Sequence, residues 1–163
     1  MEPNKELLLA VLEEIEKFPE THYQARWFKP LATPVPGPKG ELCGTAYCFA
    51  GHAAVMSGAE VPPVAKLEAR GLDASEVDWY VDPKTLASTL VHFASETAAS
   101  VPVEHYAKDI LRLDPESANC LFTARNSREI LRELVEHIIE HGRVSSWERT
   151  KMLDAEWLRL RMV

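Results

Sequence analysis

A chain of 163 residues with 46% apolar side chains has the length of one globular domain and enough apolar surface for a sizeable core. Eleven prolines and seven glycines exclude a fibre or a low-complexity chain, and three cysteines exclude a disulfide scaffold. Eighteen Lys and Arg against twenty-five Asp and Glu leave a formal charge of −7, which sets the chain against nucleic-acid phosphates.

Asn4 reads as the N-cap of a first helix, in which Leu7, Leu8, Val11, Leu12, Ile15 and Phe18 recur at helical spacing until Pro19 stops it. Glu2, Lys5 and Glu6 ahead of the apolar residues do not make a secretory leader, so the expected compartment is the reducing cytoplasm. Residues 19–42 have no period. Pro30, Pro34, Pro36 and Pro38 with Gly37 and Gly40 predict a proline-rich loop, placed at 28–42. The uncharged run Leu42 to Ala59 is too broken by glycine and polar residues to cross a membrane. It predicts a buried central helix over 45–57, capped by Thr45 and ended by Gly58.

Short helices are expected beyond it. Pro62 and Pro63 start one that Gly71 ends, Asp73 with Glu76 caps the next, and Asp82-Pro83 opens a longer one through Leu86, Leu90 and Phe93. Asp114-Pro115 repeats that signal for a helix ending near Phe122. Asn126 with Glu129 opens another, striped by Ile130, Leu131, Leu134, Val135 and Ile138 and closed by Gly142. Ser145 with Glu148 caps the last. No stretch sustains period-2 alternation, so the expected class is all-α: a single-domain bundle of about seven mostly short helices around 45–57. Residues 1–142 form the expected core domain, and 143–163 an amphipathic helix packed on that core or on a partner.

Cys43-Gly44-Thr45-Ala46-Tyr47-Cys48-Phe49-Ala50-Gly51-His52-Ala53 resembles a CGTxxC-x-AG-[HW]-A signature of small uncharacterised proteins of actinobacteria and their phages. Pro19-Glu20 and Gln24 to Trp27 resemble the lead-in to it, and Leu113 to Phe122 resembles a second, weaker segment of the same group. The proline-rich stretch after Trp27 and the chain between Gly58 and Val101 depart from the pattern. The resemblance implies an actinobacterial or phage source, hence a host cytoplasm, and no mechanism.

Cys43, Cys48 and His52 space as C-x4-C-x3-H, with Cys48 and His52 on one helical face and Cys43 just ahead of the helix. Zinc would accept all three, with Cys120, His22, His92 or His105 as a fourth ligand, and a helix N-terminus would favour a thiolate. Core packing is the simpler reading, since free cysteine is commonly buried and Ala50, Gly51, Ala53 and Ala54 suit close helix contact. The favoured expectation is therefore no cofactor, no metal and no catalytic residue. His137-Ile138-Ile139-Glu140-His141 matches H-x-x-E-H, yet Glu140 shares a face with Glu129, Glu133 and Glu136, which reads as a solvated surface. Eight of the ten arginines lie after Leu111, but Arg125, Arg128 and Arg132 interleave with those glutamates, which reads as surface pairing. A helix-turn-helix regulator built on the Asp114 and Asn126 segments is opposed by the chain's acidity.

The last helix aligns Thr150, Leu153, Trp157 and Leu160 on one stripe, with Trp147 and Leu158 at its edge and Glu148, Arg149, Glu156 and Arg159 opposite. Two tryptophans on one short helix are anchor area, and segment 143–163 is net +2 on a body of −9. The expected function is a non-enzymatic accessory or interaction protein that binds a protein partner, such as a host protein, or itself through Trp147, Leu153, Trp157 and Leu160. A small zinc- or thiol-dependent enzyme centred on Cys43, Cys48 and His52 is the alternative. No membrane partner is expected.

Overall fold

Helix α1, Lys5–Lys17, begins where the Asn4 side chain accepts the Leu7 amide hydrogen, and it buries Leu8, Val11, Leu12 and Ile15. A single 3-10 turn at Pro19–Thr21 follows. The structure is a computed structural model that describes residues 2–36, 42–61, 78–86, 88–91 and 100–162.

The proline-rich stretch is a strand and not a loop. β1, Phe28–Pro36, pairs antiparallel with β2, Leu42–Tyr47, with Phe28 opposite Tyr47, Pro30 opposite Thr45 and Pro36 opposite Leu42. The register shifts between Pro30 and Val35. Exposure along β1 does not alternate, which is why period-2 reasoning missed it. Proline lacks a donor but is tolerated where the ladder does not need one, and Pro30, Pro34 and Pro36 sit in a ribbon of only two strands.

The central helix starts later than expected. Thr45 lies in β2, and α2 runs Phe49–Met56 with Cys48 as its N-cap. Phe49, Ala50, Gly51, His52, Ala53 and Ala54 are all buried, whereas Val55 is half-buried and Met56 is 42% exposed, so the helix is enclosed on every side only up to Ala54. Gly58, at φ +98°, follows its last turn.

A second small sheet overturns the all-α expectation. β3, Asp78–Val81, pairs antiparallel with β4, Ser88–Val91, and with β5, Val101–Pro102, in the order β4-β3-β5. Asp82-Pro83 does not start the expected helix, although the cap chemistry is present: the Asp82 carboxylate accepts from the Lys84 amide at 2.9 Å and the Thr85 hydroxyl at 2.9 Å. Leu86 then turns to φ +54°, and the chain returns as β4 beside β3. The expected helices from Pro62 to Gly71 and from Asp73, together with Phe93 and His92, lie outside the described residues.

The C-terminal half is helical. α3, Val103–Leu111, ends with Arg112 at φ +54°; α4, Pro115–Phe122, is capped by Asp114. α5, Arg128–His141, is capped by Ser127 and not by Asn126, and Gly142 at φ +82° closes it. α6 is Ser146–Arg161, with the expected capping box of Ser145 and Glu148. One core cluster joins α1, α2, α3, α4 and α5 with Phe28, Trp79, Val81 and Val144. The architecture is mixed: six helices and two small antiparallel sheets among the described residues. No helix among them is long and apolar enough to cross a membrane.

Candidate interaction surface

The structure separates the cysteine and histidine constellation into three local roles. Cys43 lies in β2, six residues before α2, where its thiol donates to the Thr45 carbonyl at 3.1 Å. Cys48 caps α2, its sulfur accepting the Gly51 amide hydrogen at 3.4 Å. A helix N-terminus favours thiolate, but here burial outweighs it and pushes the Cys48 thiol up to about 12. The buried His52 ring lies 3.0 Å from the Thr21 carbonyl, and burial first, then His22, lowers its pKa to about 4. Among the described residues no three His, Cys, Asp or Glu side chains gather as a metal-holding group. His105 is an exposed residue of α3, and Cys120 is buried in α4.

Around His52 lies a polar pin that sequence reasoning missed. The Gln24 carbonyl oxygen accepts from the Phe49 amide at 3.1 Å and meets the His22 ring at 3.0 Å, while its amide donates to the Leu121 and Thr123 carbonyls. One buried side chain thus joins the turn after α1, the start of α2 and the end of α4. The one available signal was a polar residue between two aromatics, Tyr23 and Trp27.

The second candidate region is α6. It lies against α4 and α5 through its charged side. Glu148 pairs with His137 at 3.3 Å, Arg149 donates to the Asn126 carbonyl oxygen at 3.0 Å, Glu156 accepts from the Ser127 hydroxyl, and Arg159 pairs with Glu133. The backbone amide of Ser146 donates to Glu116 at 2.9 Å. Met152 and Leu153 pack on the core, but α6 buries no residue completely. The apolar side chains are outside: Trp147 is 65% exposed, Trp157 52%, Leu158 56% and Leu160 73%. The two indoles carry their own cations, Lys151 at 3.6 Å over Trp147 and Arg161 at 3.6 Å over Trp157. Of the four expected interaction residues, Trp147, Trp157 and Leu160 share the exposed surface, and Leu153 faces the body.

His137 and His141 are ring neighbours at 4.4 Å, and His137 is engaged by Glu148 of α6. The H-x-x-E-H letters therefore mark a tie between α5 and α6. Arg132 reaches Glu16 of α1 at 2.7 Å.

No protein-family model, curated protein or solved structure matches this chain.

Proposed function

We propose that this chain is a non-enzymatic binding protein whose docking surface is the outward side of α6, formed by Trp147, Trp157 and Leu158, with the exposed Leu160 at its edge. One observation carries the reading: α6 holds the body through Glu148, Arg149, Glu156 and Arg159 and turns both tryptophans to solvent. A helix that served only to complete the core would lie the other way round, since burying its indoles stabilises far more than exposed ion pairs do. Trp is also enriched among the residues that dominate interface energies.

The remaining surface supports the same reading. A cleft of about 460 Å³ between α3 and α4 is lined by Trp27, His105, Lys108, Asn119 and Phe122, and its titratable groups are surface groups. A zinc or thiol enzyme at Cys43, Cys48 and His52 has only spacing in its favour. An actinobacterial or phage source, with a host cytoplasm, rests on the likeness of Cys43 to Ala53 alone.

Acrylamide quenching tests the reading. The isolated monomer should show two readily quenched tryptophans of four, and replacing Trp147 and Trp157 by Ala should remove that fraction and leave the melting temperature in place. Four protected indoles in a monomer would defeat it.

A further inference from the structure

Resting on that reading of α6, we infer that the occupant of its outward side is a second copy of the same helix, packed antiparallel about a twofold axis at Asp154. Trp147, Thr150, Lys151, Asp154, Trp157, Leu158 and Arg161 are all exposed and recur at three- and four-residue steps, which makes one continuous seam along the helix. The order of chemistry on that seam is self-complementary. When the helix is reversed upon itself at Asp154, Trp147 comes opposite Arg161 of the other copy, Lys151 opposite Trp157, and Thr150 opposite Leu158. Each indole thus meets a cation from each copy, its own at 3.6 Å and the twin's across the axis. An isologous contact requires this pattern, in which residue i meets j and j meets i; a foreign partner does not.

One charge pair opposes the pairing. Two Asp154 carboxylates approach at the axis, and the two Lys151 side chains stand one turn from them. The other acidic residues of the helix, Glu148 and Glu156, are turned to the body and add no repulsion. The area sets the strength. A helix of 16 residues is about 24 Å long, and laying that length on its twin buries on the order of 500 Å² per copy, at the low end for specific interfaces. The dimer should therefore dissociate in the micromolar range. The body's negative charge opposes an anionic bilayer as the occupant.

The test uses the full chain. Sedimentation across a wide concentration range should show a monomer–dimer equilibrium, weakened at least tenfold by Trp157→Ala and strengthened by Asp154→Asn, with unchanged circular dichroism. With Cys43→Ser as background, Asp154→Cys should cross-link to itself through a short bismaleimide. Thr150→Cys alone should not, whereas Thr150→Cys mixed with Leu158→Cys should. Self-linking of Thr150→Cys, or a dimer indifferent to Trp157→Ala, would overturn the antiparallel pair. A monomer at every concentration with quenchable tryptophans would overturn the second copy and leave the docking surface for another protein. A monomer with protected tryptophans would overturn both.

Discussion

At Gly51 the fold depends on the absence of one carbon atom. A Cβ there would stand 2.3 Å from the Trp27 carbonyl oxygen and 3.1 Å from the Tyr47 Cβ, so the α2 backbone lies directly on the end of the segment before β1. Gly51→Ala, ordinarily a helix-favouring change, should therefore destabilise by about 1–3 kcal/mol or more through overpacking, measured by urea unfolding. A neutral Gly51→Ala would mean that α2 and Trp27 do not touch. His52, one residue on, makes the fold sensitive to acid. Its folded-state pKa, about 4, lies below the ordinary 6.5, so the unfolded chain takes up the proton first as pH falls. Its contribution is whole above pH 6.5 and drains away toward pH 4, by about 3 kcal/mol at most. His22, whose pKa burial also lowers, acts in the same direction. A urea midpoint that stays flat across that window would refute the assignment. The thiols give a third check: Ellman's reagent should find Cys43 in the native protein and reach Cys48 and Cys120 only on unfolding.

Among the elements, what could be read from sequence was whatever local cap chemistry decides. Asn4, Asp114, Gly142 and the Ser145–Glu148 box act as their residue types predict. Asp82 and Thr45 show the limit. The Asp82 side chain makes the contacts of a cap, yet the chain leaves the helical path at Leu86 because β4 gains a ladder beside β3. Thr45 joins β2 for the same reason, with Pro30 opposite it in the ribbon. Long-range pairing decides both, and no short window contains it. Asn126 departs from its expected role as a helix cap in another way. It is 4% exposed and closes the end of α4, donating to the Cys120 carbonyl at 2.8 Å and the Leu121 carbonyl at 3.0 Å, while Ser127 starts α5. Asn126→Ala should thus cost roughly 1–3 kcal/mol by stranding the Cys120 carbonyl, since the Leu121 carbonyl keeps the Gln24 amide, and Ser127→Ala only about 1 kcal/mol for a lost cap. Equal effects in urea melts would count against these roles. For the candidate site, the sequence marks both tryptophans of α6 but leaves open which side of α6 meets the body, since its charges have partners on α4 and α5 that only the fold brings near.

For the whole molecule the consequence is an uneven distribution of stability. α5 buries Ile130, Leu131, Leu134, Val135 and Ile138, whereas α6 buries nothing completely and is held by exposed and half-buried polar pairs and by the packing of Met152 and Leu153. Between them Val144 is 1% exposed, and its amide donates to the Ser117 hydroxyl at 2.9 Å. The body therefore reaches two residues beyond Gly142. A chain ended after Val144 should melt within a few degrees of the full one, and a chain ended after Gly142 clearly lower. Hydrogen exchange in the monomer should find α6 opening far more often than α5. Matching exchange in the two helices would show that α6 belongs to the cooperative core.

The ribbon of β1 and β2 carries one more consequence. Residues 22 and 23 run beside Tyr47, with the Tyr23 amide donating to the Tyr47 carbonyl at 2.8 Å, so β2 is shielded on its far side at that end. The far side of β1 has no strand beside it among the described residues. An unpaired strand edge is a template on which other chains grow. Pro30, Pro34 and Pro36 remove backbone donors from β1, and the register shift before Val35 bends it. The prolines that hid the strand from a sequence reader would hide it from a neighbouring molecule as well.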